Sequence, residues 1–166
     1  MPIRPVQTSA ELDTARQLFR EYARELDVDL CFQDFEQELQ ALPGPYAAPQ
    51  GVILLAHLPE TLPTEAVGCV ALKPLDRPDV CEMKRLYVRP EARDAGWGNA
   101  LVDAILNAAR RRSYSTMRLD TLDTLRAALR LYRRFGFKEI DAYYENPLPN
   151  VIYMQKTLSS SSPTSS

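Results

Sequence analysis

Apolar residues recur along this chain at two spacings, and the switches between them mark out its elements. In "TSAELDTARQLFREYAREL" the residues Leu12, Ala15, Leu18, Phe19, Tyr22 and Leu26 fall on one face of a helix, and Thr8 and Glu11 have capping-box spacing. "FQDFEQELQAL" repeats that period with Phe32, Phe35, Leu39 and Leu42 inward, before "PGPYAAPQG" breaks the chain. Three apolar, β-branched runs follow, "GVILLAHL", "EAVGCVALKPL" and "VCEMKRLYV"; the turns between them predict antiparallel strands. Helical spacing then returns from about Gly96 to Arg112, with Leu101, Ala104, Ile105 and Ala108 buried. "TMRLDTL" reads as a strand and "TLRAALRLYRRF" as a helix, with Gly136 placed for its C-terminal cap. "FKEIDAYY" and "VIYMQKTL" close the chain as two strands around "ENPLPN", and "PIRPVQ" is a short extended start. The class is therefore α+β, with two helices, a meander, a β-α-β-α crossover and a terminal hairpin.

At 166 residues the chain predicts one domain, residues 1–158, followed by a disordered Ser-rich tail, "SSSSPTSS", at 159–166. A net charge of −2 supplies no broad positive field, so a nucleic-acid partner is not expected. No apolar run approaches the ~18 residues of a membrane span, and "MPIRPVQTSAEL" predicts no signal peptide. Cys31, Cys69 and Cys81 lack metal-site spacing and suit a reducing cytoplasm. His57 is the single histidine, which argues against multi-His metal sites; at the end of "GVILLAH" it reads as structural.

The stretch with chemical content is "LYVRPEARDAGWGNALVDAIL". A strand ends, glycines fill the turn and a helix begins, which leaves unpaired N–H groups at the positive end of a helix dipole. Such a turn accommodates an anion, phosphate above all. It is not a dinucleotide fingerprint, because no third glycine follows Gly96-Trp97-Gly98, and it is not a P-loop, because Gly-Lys-Ser/Thr is absent.

Arg93-Asp94-Ala95-Gly96-Trp97-Gly98 resembles the Q/R-x-x-G-x-G/A signature of the GNAT superfamily of N-acetyltransferases. "LYRRFGF" is similar to the family's second hallmark, a helix ending in Tyr-x-x-x-Gly-Phe. The resemblance covers nearly the whole chain up to the tail. It implies a mixed, mostly antiparallel sheet of six to seven strands flanked by about four helices. It also implies acetyl-CoA as co-substrate, with no metal. The pyrophosphate would lie on Arg93, Asp94, Ala95, Gly96, Trp97, Gly98 and Asn99, and the pantetheine arm along the backbone of Leu86, Tyr87 and Val88.

The family's base is often a Glu eleven residues before the first motif position, which here is Glu82. The bland alternative pairs Glu82 with Lys84. Tyr132 matches the tyrosine that protonates the departing thiolate, and it also belongs to the core stripe Leu125, Ala128, Leu129. Two positions depart from the pattern: Asp94 stands where Gly is commonest, and Leu125 where many relatives carry Asn.

The resemblance places the acceptor pocket between the first helices and the terminal hairpin, where Tyr22, Phe32, Gln33, Phe35, Tyr143, Tyr144 and the carboxylate of Glu145 would line it. Aromatic walls suit a small cationic amine, whereas Lys84 and Arg85 suit an acceptor with a carboxylate. A free amino acid, a polyamine, an aminoglycoside-like compound and a protein amine all stay open. The expected activity is transfer of acetyl from acetyl-CoA to a primary amine of a small molecule; the alternative is a non-catalytic acyl-CoA-binding or regulatory domain. A homodimer is expected on the resemblance alone.

Overall fold

The computed structural model describes residues 2–26, 35–59 and 65–158. Its strands are β1 (Ile3–Pro5), β2 (Val52–His57), β3 (Ala66–Pro74), β4 (Val80–Val88), β5 (Thr116–Leu122), β6 (Lys138–Ile140) and β7 (Val151–Thr157). Its helices are α1 (Ser9–Leu26), α2 (Phe35–Ala41), α3 (Trp97–Arg111) and α4 (Arg126–Arg134). The strands form one sheet in the order β1-β2-β3-β4-β5-β7-β6, antiparallel throughout except for β4 and β5. Those two are parallel because α3 carries the chain back before β5 begins. This is the mixed α+β sheet that the sequence predicts.

Each face of the sheet carries its own core. Val52, Leu54 and Ala56 of β2 turn to a cluster with Leu101, Val102 and Ile105 of α3, while Ile53 and Leu55 turn to a cluster with Ala15, Leu18 and Phe19 of α1. A strand covered on both faces needs no polar alternation, which accounts for the unbroken "VILLA". β5 lies where only one face is sealed, so Met117 and Leu119 are buried and alternate with the half-buried Arg118 and Asp120. The start of α1 is closed as its sequence predicts. Glu11 N–H donates to Thr8 Oγ1 at 3.1 Å, and Glu11 Oε1 accepts from the N–H groups of Gln7 and Thr8 at 2.7 and 3.0 Å. Such a cap contributes about 1 kcal/mol.

Two features differ from the sequence reading. The strand expected over "FKEIDAYY" stops at Ile140, and Tyr143 and Tyr144 leave the sheet because their hydroxyls bond carboxylates on β4 and β5. Within β4 the register slips opposite Val70, where Arg85 adopts φ 62° and forms a β-bulge. The extra residue brings Arg85 and Tyr87 to the face that Glu82 and Lys84 already share. Cys31, Phe32 and Gln33 lie outside the described residues. Among the described residues no helix is long and apolar enough to cross a membrane.

Candidate functional site

Among the described residues, β4 and β5 pair only through Val80–Glu82 against Thr116–Arg118. Beyond that ladder the strands part around a cleft of about 80 Å³, walled by Leu86 of β4, Leu119 and Thr121 of β5, Leu125 just before α4, and Tyr132 of α4. The main chain of β4 from Met83 onward therefore has one side without a strand partner among the described residues, where an extended chain can add. Tyr132 is buried, and its ring packs edge-on to Phe137 at 5.9 Å. Its carbonyl accepts the Phe137 N–H at 3.0 Å across Gly136, whose φ of 93° only glycine adopts easily. Burial pushes the Tyr132 phenol well above its usual range, and Tyr22 and Asp120 add to the shift, so it remains a neutral O–H donor.

After β4, α3 starts at Trp97, preceded by Gly96 at φ 90° and with no side chain capping its first turn. Those first N–H groups have no side-chain cap, the arrangement in which a helix start can accept an anion. Asp94 also lies in the left-handed region, at φ 64°. Aspartate tolerates that conformation better than most residues, which explains how it replaces a glycine. Arg93 donates Nε–H to the Val88 carbonyl at 2.9 Å, and its Nη2 reaches both carboxylate oxygens of Glu25 at 2.6 and 2.7 Å. Trp97 is buried in the core beneath the loop, Asn99 accepts a bond from Arg134 at 3.2 Å, and Asp94 and Ala95 face solvent. Leu86 and Val88 pack toward the α3 side, whereas Tyr87 turns to α1 and donates to Glu21 at 3.3 Å.

A second cavity, of about 450 Å³, opens on the α1–α2 face and shares Lys84 and Arg85 with the first. Glu82 lies in it, 2% exposed. Tyr143 donates to Glu82 Oε2 at 2.5 Å, and the ammonium groups of Lys73 and Lys84 both stand 3.8 Å from Oε1. Burial first, then the adjacent Glu82, raises the Tyr143 phenol far above its ordinary value. Tyr144 donates to Asp120, which also accepts from Asn146 at 2.9 Å and faces Lys84 at 3.8 Å. Glu38 of α2 holds the Arg85 guanidinium with two bonds, at 3.0 and 2.9 Å. Burial alone would lower the pKa of Arg85; the Glu38 bonds, together with the charges of Tyr46, Glu38 and Tyr22, raise it instead.

Of the aromatic residues expected around the acceptor, Tyr143 and Tyr144 line this cavity. Tyr22 instead lines the cleft between β4 and β5, and Phe35 is buried with the Arg85 guanidinium 5.2 Å above its ring. Glu82 pairs with Lys84, as the bland reading held, and Lys73 is added to the pair. The residues the sequence reading passed over are Lys73, Arg118 and Asp120. The alternation of "TMRLDTL" puts Arg118 and Asp120 on one face, but only strand register carries them to Glu82. His57 lies on β2 toward the β1 edge, buried, its pKa lowered by that burial. Among the described residues no group of three His, Cys, Asp or Glu side chains is placed to share a metal.

The sequence profile of the Acetyltransferase (GNAT) family matches residues 12–137. The chain belongs to this family. It is 45% identical to an uncharacterized N-acetyltransferase of Schizosaccharomyces pombe over 157 residues, covering 95% of this chain and 94% of that one. The fold is shared with the Escherichia coli ribosomal-protein-S18-alanine N-acetyltransferase, at TM-score 0.68 and 16% identity over 99% of this chain and 98% of that one. It is shared equally with an aminoglycoside 6'-N-acetyltransferase solved with coenzyme A, at TM-score 0.68 and 18% identity over 95% and 97% of the two chains. The protein is thus an acetyl-CoA-dependent acyltransferase of the GNAT family. Its cleft and loop fit that co-substrate: an uncapped helix start suits the pyrophosphate, and an unpaired strand edge suits the pantetheine arm. One GNAT fold serves a protein amine in one neighbour and an aminoglycoside in the other, so the acceptor must be read from the cavity.

Proposed function

We propose that the protein transfers the acetyl group directly to the primary amine of a small molecule, with Glu82 as base and Tyr132 as acid. The observation that carries this reading is the meeting of two openings at the β4 bulge, Tyr132 on the cleft side and Glu82 in the cavity. Bound acetyl-CoA supplies an acetyl thioester. An amine entering the cavity gives its proton to Glu82, directly or through water, and so frees its lone pair. Tyr132 Oη then protonates the sulfur that leaves as the new N–C bond replaces the S–C bond, and the proton that the acylated nitrogen sheds restores the phenol through solvent. Lys73 and Lys84 hold the Glu82 side chain in place, and Tyr143 covers it until an acceptor enters. A cavity of about 450 Å³ is in the range of small-molecule sites. A cytoplasmic setting fits Cys69 and Cys81, both buried free thiols.

The test is coenzyme A thiol release over a panel of primary amines. Glu82→Gln is expected to lower kcat by roughly 10²–10⁴-fold while the melting-temperature rise with acetyl-CoA persists. Wild-type turnover by Glu82→Gln would sink the assignment of the base.

A further inference from the structure

The register of the sheet places one row of side chains across the floor of the acceptor cavity. Lys73 on β3 stands opposite Glu82 on β4, Glu82 beside Arg118 on β5, and Arg118 opposite Gln155 on β7. Residues paired in this way point to the same face of a sheet. The two central members are therefore one inter-strand spacing apart, about 4.8 Å between backbones.

The charges on this face are matched except for one. Glu38 is taken by Arg85. Glu82 faces Lys73 and Lys84, and Asp120 faces Lys84 while accepting from Tyr144 and Asn146. Arg118 has neutral partners: its Nε–H donates to Gln155 Oε1 at 2.9 Å, and its guanidinium lies 5.3 Å from the centre of the Tyr143 ring. Among the described residues no carboxylate pairs with it. Asp76 and Glu145 also border the cavity, but both are exposed at its mouth, where water and salt screen them. The stacking contact and the Nε bond fix the Arg118 plane and leave its two terminal nitrogens as a fork. A guanidinium fork matches a carboxylate with two parallel hydrogen bonds.

We infer that the acceptor is an amino acid or a close relative, with a carboxylate a few bonds from its amine. Arg118 binds the carboxylate while Glu82, beside it in the row, meets the amine. The inference rests on the proposed transfer reaction and names its substrate class. Polyamines, aminoglycosides and protein amines lack that carboxylate, and against them the row presents two cations around a single base.

The experiment offers the protein the twenty free amino acids, 4-aminobutyrate and 5-aminovalerate, each beside its carboxamide, together with putrescine and tyramine. Thiol release gives kcat and KM. Calorimetry with the coenzyme A-loaded protein gives the affinity of the best acid and of its amide without turnover. At least one acid is expected to exceed its amide in kcat/KM and in affinity by roughly 10–100-fold, carried by KM, as for hydrogen bonds to a charged group. Arg118→Met should bring that ratio close to one, and Arg118→Lys should restore part of it. Amides matching their acids overturn the inference, as does a ratio that survives Arg118→Met in a variant melting like the wild type. If Arg118→Met does not fold, the acid–amide comparison in the wild type still decides. Acetylation of putrescine or tyramine but of no acid removes the carboxylate and leaves the transfer reaction standing. If no amine on the panel supports thiol release, both claims fall.

Discussion

The loop from Arg93 to Asn99 and the cavity around Glu82 flank the same strand, yet they are built from different material. The loop offers main-chain N–H groups from consecutive residues, while its side chains are engaged elsewhere: Arg93 with Glu25, Trp97 in the core and Asn99 with Arg134. The cavity offers side chains from α2, β3, β4, β5 and the segment after β6. A site made of backbone tolerates changes of side chain, which is how Asp94 and Trp97 stand in a loop that still has the cradle's shape. A site made of side chains depends on register, so a single slipped strand would scatter Lys73, Glu82 and Arg118. The difference suits a co-substrate common to the family on one side of β4 and an acceptor that varies within it on the other.

That contrast can be broken most sharply by Glu82→Gln, whose kcat loss should leave the loop's affinity for acetyl-CoA untouched. Gly96→Val makes the reverse cut. Forcing a β-branched residue to φ 90° stores strain of order 1–3 kcal/mol, and the Kd for acetyl-CoA should rise on the order of 10-fold with the acceptor KM unchanged. A Gly96→Val protein with normal cofactor affinity would mean that backbone shape does not define the loop. Tyr132→Phe, on the cleft side, should lower kcat by about 10-fold or more. Because burial raises the Tyr132 phenol above its ordinary value, it is neutral from about pH 6 to about pH 9. The variant should therefore keep the wild-type shape of the pH–rate profile over that range. An alkaline limb lost only in Tyr132→Phe would contradict this. The smallest effect is expected from Asp94→Gly, which removes an exposed carboxylate from the loop and relaxes φ 64°. It should tighten acetyl-CoA binding by about 2–5-fold in a direct titration.

How much the sequence disclosed follows the same division. The capping box at Thr8 and Glu11, the helical stripes of α1 and α3, and the glycine turn are local patterns, and the structure contains each of them. Glu82 and Tyr132 were reached through spacing within motifs, and they lie at the two openings. The acceptor aromatics were harder to place, because the sequence does not say how a loop folds back. Tyr143 and Tyr144 left the expected strand to bond Glu82 and Asp120, while Tyr22 went to the cleft. Arg118 and Lys73 went unnoticed because each is an ordinary cation in its own strand. They become neighbours of Glu82 only when β3, β4 and β5 align. The bulge at Arg85 was also illegible, since no glycine marks it and its stabilising partner, Glu38, is 47 residues away.

The parting of β4 and β5 also bears on how the protein avoids sticking to itself. A strand edge that faces open water is a template on which another chain can add, and proteins blunt such edges with prolines, charges or covers. Here the unpaired stretches of the two central strands face one another across a slot inside the sheet. A narrow slot of this kind leaves less room for a flat partner strand than an open sheet edge would. The protein can thus keep bare hydrogen-bonding groups in reserve at its centre without offering them to its neighbours in a crowded solution.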